Sequence, residues 1–228
     1  MEKKIQETWK KITHEKAEKF FVFRQMLLEY NEKYNLTTIL GEEEMYYKHF
    51  LDSGVGAHLF QKNASVAEIG SGAGFPSIPL KIIRDDLSFV LFESVGKKCE
   101  FLRAVVDKLQ LSNMHIYNMR AEDAARKEEF REKFDYATAR AVARMNTLCE
   151  YCLPFVKKGG TFIAYKAGEE EISEAENACR ILGAEKPEIF RYVLPNGYGE
   201  RTLAVVKKTK STPSRYPRGQ GKERKNPL

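Results

Sequence analysis

From residue 64 onward, short apolar runs alternate with helical stretches, and no other feature constrains the fold of this chain as tightly. "SVAEIG" predicts a short buried strand and Ser77 to Ile83 a helix; "LSFVLFES" and "KKCEFLRAVVDKLQL" repeat the pair. "MHIYNM" is a third strand, followed by a short helical crossover in "AEDAARKEEFREK". "FDYATARA" then leads to a helix in "MNTLCEYCLPFV", and "GGTFIAYKAG" to a helix in "EEEISEAENACRILG". "EIFRYVLP" and "RTLAVVKKT" read as two strands joined by a "GYGE" turn. Five βα units closed by a hairpin predict an α/β, doubly wound, seven-stranded and mainly parallel sheet with helices on both faces.

Nothing before residue 64 reads as a strand. Trp9, Ile12, Phe20, Phe23, Leu27 and Leu28 recur at roughly helical spacing, and "EEEMYYKHFLDS" reads as a further helix after the polar break "YNLTT". The chain therefore divides into an N-terminal helical extension (1–63), a core (64–206) and a tail (207–228). The tail carries eight basic residues against the single acid Glu223, a net +7, which leaves the other 206 residues at −1 of the total +6. With three prolines and two glycines it lacks the means to bury a core, so it is expected to be extended or mobile when free, and its charge points to an anionic partner, nucleic acid first.

Other classes fall away. No apolar run approaches the ~18 residues of a membrane span, and "MEKKIQETWKKITHEKAEKF" has no secretory apolar core, which favours the cytoplasm and no membrane partner. Cys149 and Cys152 form a C-x-x-C inside a helical pattern, with no second pair and no histidine cluster at zinc spacing, so no metal is expected and the four cysteines read as free thiols. Nothing in the sequence demands more than a monomer.

The first strand runs into "VAEIGSGAGFPSIPL". A phosphate-cradling Walker loop requires a Gly-Lys-Ser/Thr ending, which is missing. A dinucleotide loop requires a third glycine where Phe75 stands, and a ring there would crowd the close helix–strand contact, which disfavours a nicotinamide oxidoreductase. The pattern is instead Glu68, Gly70, Gly72 and Gly74 in E-x-G-x-G-x-G. Glu93 ends the second strand, 23 residues past Gly70, where a carboxylate can accept both hydroxyls of a ribose. Ala121 and Glu122, after the third strand, can border an adenine. This arrangement resembles the class I S-adenosylmethionine-dependent methyltransferases. Their cofactor has no pyrophosphate, so the glycines allow close backbone approach, and Glu68 can act electrostatically near the methionine end. No N/D-P-P-Y/F motif for an exocyclic amine follows the fourth strand, and "CLP" has the wrong order for a pyrimidine carbon-5 nucleophile. An acceptor with its own lone pair, such as guanine N7, remains.

The motifs taken together closely resemble the RsmG (GidB) family, the bacterial 16S ribosomal RNA guanine-N7 methyltransferases. "KYNLTTI", "KHFLDS", "EIGSGAGFPSIPL", "ESVGKKCEFL", "RAED", "ATARAVA", "GYGERTLAVVKK" and "YPRGQGKERKNPL" follow in the family's order over nearly the whole chain. The resemblance implies a Rossmann-like class I methyltransferase with an N-terminal helical extension and S-adenosylmethionine as cofactor. It implies 16S rRNA or the 30S subunit as partner, and as target a guanine of the 530 loop, position 527 in standard RNA numbering. It places cofactor positions on Gly70, Phe75, Ala121, Glu122 and Arg140, beside Glu68, Gly72 and Glu93 from the loop argument. It sets Asn35 and His49 in N-terminal signatures that can face the acceptor base, with Arg140 where cofactor meets acceptor. Lys166 and Arg201 are candidate phosphate contacts, with Arg215, Arg218, Lys222, Arg224 and Lys225 of the tail. Two departures are visible: Ser77 stands where many members have glycine, with little consequence expected, and Glu68 where aspartate is common. A small-molecule methyltransferase with an incidental tail, or a non-catalytic RNA-binding assembly factor, are the alternatives.

Overall fold

Strands β1 (Ser65–Ile69) and β2 (Ser88–Glu93) are apolar on both faces, so each must be covered on both sides, and the fold covers them. In the computed structural model, which describes residues 1–228, they join β3 (Met114–Asn118), β4 (Phe134–Arg140), β5 (Val156–Lys166), β6 (Glu188–Leu194) and β7 (Gly199–Lys207) in one seven-stranded sheet of order β3-β2-β1-β4-β5-β7-β6. All pairs are parallel except β5–β7 and β6–β7. The strand order reverses between β1 and β4, and ligands of such sheets lie outside the carboxyl ends of the strands at that switch point. Gly70 follows the end of β1, and Arg140 is the last residue of β4.

The N-terminal segment forms α1 (Glu2–Lys10), α2 (Ala17–Tyr34), α3 (Glu42–Met45) and α4 (Asp52–Val55), with wider π-helical turns at Lys11–Glu15 and Tyr46–Leu51. Such turns often occur at functional sites, and the second carries His49. These helices do not stand apart. Ile12, Phe20, Phe23 and Phe50 share one core with Val66, Phe75, Ile78 and Phe89 on the sheet face that also holds α5 (Ser77–Ile83) and α6 (Gly96–Lys108).

The opposite face buries Ala67, Ile69, Phe92 and Phe162 under α8 (Met145–Cys152) and α9 (Glu176–Leu182). Val66 and Ala67 enter opposite cores because successive strand residues point to opposite faces. The crossover after β3 is helical only at α7 (Ala121–Ala124), and α9 is shorter than its sequence pattern predicts. All four cysteines are free and buried; Cys149 and Cys152 lie on α8, as their helical pattern predicts.

The tail departs from expectation. It is folded onto the second core and ends in a short helix, α10 (Lys222–Lys225). Its carbonyls satisfy arginines of the core: Arg131 donates to Thr212 and Tyr216 at 2.9 Å each, and Arg126 to Pro217 at 2.6 Å. Tyr216 is buried in the core, and Lys208, fully buried, donates to the carbonyls of Leu153 and Val156 and to Glu132. Buried polar groups require partners. Here core and tail supply them to each other, which composition alone does not show.

Candidate functional site

Two clefts open along the carboxyl edge of the sheet, and Val142 lines both. The first, about 710 Å³, lies over the ends of β1, β2 and β3 and is lined by Gly70, Ser94, Met119, Ala121 and Glu122, among others. The second, about 1150 Å³, lies at the end of β4 and is lined by His49, Asp52, Arg140, Lys166 and Arg201, among others.

In the first cleft Gly70 has φ +67, and a Cβ there would lie 2.8 Å from the Val142 side chain. Gly72 has φ +56 and faces open space, with nothing nearer to an added Cβ than the Gly70 carbonyl at 3.9 Å. Such a loop permits a ligand to approach its backbone closely. The Glu93 carboxylate accepts the Gly72 and Val95 amides at 2.8 Å each, so it shapes the loop from beneath. Those two bonds use only part of its acceptor capacity, although Glu93 is buried and neither it nor Gly72 is among the residues lining the cleft. A cofactor with an adenosine half and no phosphates fits this donor and acceptor set.

Glu68 does not reach either cleft. Strand alternation turns it into the face beneath α5, where it is fully buried and accepts the Ser77 amide at 3.0 Å and the Ser77 hydroxyl at 2.5 Å. Through these bonds Glu68 braces the Phe75–Pro76 loop. Ser77, expected to matter little, is the residue that makes the brace. Burial pushes the Glu68 carboxyl up to about 7, against the opposing pull of the Ser77 donors.

A titration follows. Between the ordinary value of 4.5 and about 7, the folded chain holds a proton that the unfolded chain has released, so stability is lost as pH rises through that window. Glu68→Gln removes the charge, its Oε1 still accepting the Ser77 amide while its NH2 donates to the Ser77 hydroxyl oxygen. It is expected to gain on the order of 3 kcal/mol over wild type between pH 4.5 and pH 8. Urea unfolding of both proteins across that range checks this; parallel pH profiles would refute it.

The second cleft is organised around Arg140. Its guanidinium donates to Asp52 Oδ2 at 3.1 Å, to the Lys48 carbonyl at 3.1 Å and to His49 Nδ1 at 2.8 Å, and it lies 4.7 Å from the centre of the Phe75 ring. A guanidinium only donates, so Nδ1 of His49 carries no proton, and Nε2 donates to Thr37 Oγ1 at 2.8 Å. Burial, and then the Arg140 charge, lower His49 to about 3, so the ring is neutral at physiological pH. It stacks on Phe75 with centroids 4.3 Å apart. Both His49 nitrogens are engaged, so His49 lines the cleft but acts as a positioning residue for Arg140. Asp52 also accepts the Tyr192 hydroxyl at 2.7 Å and lies 3.7 Å from Arg201. The residue after Arg140, Ala141, has φ +57, a left-handed conformation costly for a non-glycine residue and found where function constrains the chain.

Gly70, Ala121 and Glu122 line the first cleft, and His49, Arg140, Lys166 and Arg201 the second. Phe75 points into the core and supports Arg140 and His49 from below. Asn35 lines neither cleft; it is exposed and ends α2 in a left-handed turn at φ 49. Lys166 donates to the Ala143 carbonyl at 2.8 Å and pairs with Glu171 at 2.6 Å, so it ties down the loop after β4. In the tail, Arg215, Lys222, Arg224 and Lys225 are exposed. Arg218 is not free for RNA: its amide and guanidinium bind Glu150, itself wholly buried, with contacts of 2.7 to 3.2 Å. Sequence reasoning passed over Asp52, although it stands three residues after His49 on one helical face, a spacing that brings side chains together. It also passed over Thr37, Val142 and Tyr192, for which no local signal exists.

The family model described as rRNA small subunit methyltransferase G matches residues 16–195. The chain is 43% identical over 221 residues to Ribosomal RNA small subunit methyltransferase G of Oceanobacillus iheyensis, covering 95% of this chain and 93% of that one. It is 46% identical over 215 residues to the protein of that name in Lachnoclostridium phytofermentans, covering 92% and 89%. Among solved structures, a SAM-dependent O-methyltransferase from Thermotoga maritima superposes with a TM-score of 0.56 at 14% identity, covering 82% of this chain and 72% of that one. P. horikoshii TYW2 in complex with MeSAdo gives 0.54 at 17%, covering 71% and 63%. These structural likenesses establish the Rossmann-like class I methyltransferase fold. With the family model spanning most of its length and relatives matching almost end to end, the chain belongs to the rRNA small subunit methyltransferase G family.

Proposed function

We propose that this protein transfers a methyl group from S-adenosylmethionine to N7 of a guanine in 16S rRNA, at position 527 of the 530 loop. The observation that carries the reading is the pair of clefts that meet at Val142, one shaped for an adenosine-bearing ligand and the other basic and open. Family membership supports the substrate class.

Bound in the first cleft, S-adenosylmethionine supplies an electrophilic methyl group on a sulfonium. The chain's own part is alignment. Gly70 and Gly72 admit the ligand to the backbone, Glu93 accepts ribose hydroxyls, and Ala121 and Glu122 border the adenine. Guanine N7 has an exposed lone pair, so no base need remove a proton before attack, and neutral His49, with both nitrogens engaged, fits a site that needs none. Arg140, held on three sides, orients the acceptor at the junction, and the rate gain comes mainly from holding lone pair and methyl in line. A purine methylated at N7 would carry a positive charge, and Asp52, paired with Arg140 and 3.7 Å from Arg201, offsets the surrounding cations. Arg201 and the exposed tail residues Arg215, Lys222 and Lys225 would meet phosphates.

The test is methyl transfer from labelled S-adenosylmethionine to 30S subunits lacking the modification, naked 16S rRNA, 50S subunits and DNA, with the product mapped. Label at one N7-methylguanine in the 530 loop is expected. No label on any acceptor, with cofactor binding intact, would overturn the reading.

A further inference from the structure

The cleft over the ends of β1, β2 and β3 has a wall that comes from the far end of the chain. Gly221 and Arg224 of the tail line it together with Gly70, Ser94, Met119, Ala121 and Glu122. We infer that Arg224 is a cofactor-binding residue that contacts the adenosine half of S-adenosylmethionine, so that the C-terminal turn completes the cofactor site. This rests on the cofactor reading above.

The position of Arg224 is built. Glu223, its neighbour, is wholly buried and accepts the Gly219 amide, while the Glu223 carbonyl accepts the Thr147 hydroxyl at 2.9 Å. Arg218, five residues after Pro213, is locked to buried Glu150. Gly219 and Gly221 turn the chain with φ +79 and +74, conformations that favour glycine. These anchors set α10 beside the cleft.

The Arg224 side chain, by contrast, pairs with no carboxylate. Its contacts are a long 3.4 Å hydrogen bond to the Val142 carbonyl and one to the Tyr151 hydroxyl, and both residues line the same cleft. Arg140, Arg144, Arg191 and Arg218 all pair with an acid. An exposed guanidinium at the mouth of a cleft offers a flat cationic face for a purine and donors for its ring nitrogens. Of the residues sharing this cleft, Phe92, Ser94, Met119, Ala121 and Glu122 come from or follow the ends of β2 and β3, where the adenosine half lies in sheets of this type. The adenosine half is therefore the part Arg224 meets. Lys222 and Lys225 flank it on the exposed surface, so one short turn carries both a cofactor contact and candidate RNA contacts.

The experiment is calorimetric titration of the full chain with S-adenosylhomocysteine and, separately, with adenosine. Arg224→Ala is expected to weaken both ligands by a similar factor, about tenfold, as one partly desolvated cation–ring contact would. Arg224→Lys is expected to recover part of the loss, because the charge stays and the planar face is gone. Lys210→Ala removes a tail charge outside the cleft and is expected to leave both affinities unchanged. Because Arg224 is exposed, its alanine variant is expected to melt with wild type. Thr147→Val, which frees the turn while keeping Arg224, is a second route to the same loss. Affinities of Arg224→Ala within twofold of wild type would overturn the inference, as would equal losses in Lys210→Ala. Failure of wild type to bind S-adenosylhomocysteine would instead refute the cofactor reading on which it rests.

Discussion

Replacing Arg218 with alanine is expected to lower the unfolding free energy by about 3–5 kcal/mol, the largest stability effect of any single tail substitution. Glu150 is wholly buried on α8, and Arg218 holds both of its oxygens. Removing the guanidinium leaves a carboxylate in the core with only the Arg218 backbone amide as donor. Breaking such a pair costs far more than the pair itself contributes, because the surviving charge stays desolvated. Adding Glu150→Gln to the alanine variant removes that charge, and the double variant is expected to recover about half of the loss. Urea unfolding of the wild type, both single variants and the double variant gives the cycle. A loss below about 1 kcal/mol, the range of an exposed pair, would show that Glu150 reaches water. The loss also bears on function, since Arg218 anchors the turn that brings Arg224 to the cofactor cleft.

The second large effect is on catalysis. Arg140→Ala is expected to lower kcat/KM for 30S subunits by at least about 100-fold, the scale associated with a misplaced reacting group. Arg140 joins β4 to the N-terminal helices through Asp52, His49 and the Lys48 carbonyl, and it lines the second cleft two residues before Val142, which lines both. Lysine cannot reproduce this, because one ammonium cannot reach His49, Asp52 and Lys48 from the position of a planar fork, so Arg140→Lys is expected to fall close to alanine. The split between constants is informative. Loss mainly in kcat, with S-adenosylhomocysteine affinity reduced less, is the pattern of a residue acting at the junction. Activity of the alanine variant within threefold of wild type would refute the assignment.

How much of this was legible beforehand differs by element. The seven strands, the mainly parallel sheet and the closing two-strand hairpin follow from local periodicity, and the structure bears them out; that β7 rather than β6 pairs with β5 was not legible. That Gly70, Ala121 and Glu122 would share one cleft was legible, since a strand-end loop in this architecture has one place to be. The burial of Glu68 was local information too: Ala67 and Ile69 face one core, so the residue between them must face the other. That Phe75, a cofactor position by resemblance, also packs under His49 and Arg140 was not legible. The tail was misread for a different reason. Its composition describes a segment that cannot fold by itself, and it does not fold by itself.

The sequence alone therefore determined the element types, their order, the sheet architecture and, through its motifs, the family. Each depends on patterns within a few residues or on their order along the chain. The tertiary structure decided which side chains are free to act. Arg140 meets His49 and Asp52 across about ninety residues of chain, Arg218 meets Glu150 across 68, and Arg224 reaches a cleft whose first glycine is Gly70. A charged side chain at such a distance finds its partner only when the fold buries one of the two, and the cost of leaving a buried charge unpaired then selects the contact. No local pattern records that cost, which is why the same tail reads as an extended basic segment in sequence and stands as a wall of the cleft over β1, β2 and β3 in the folded protein.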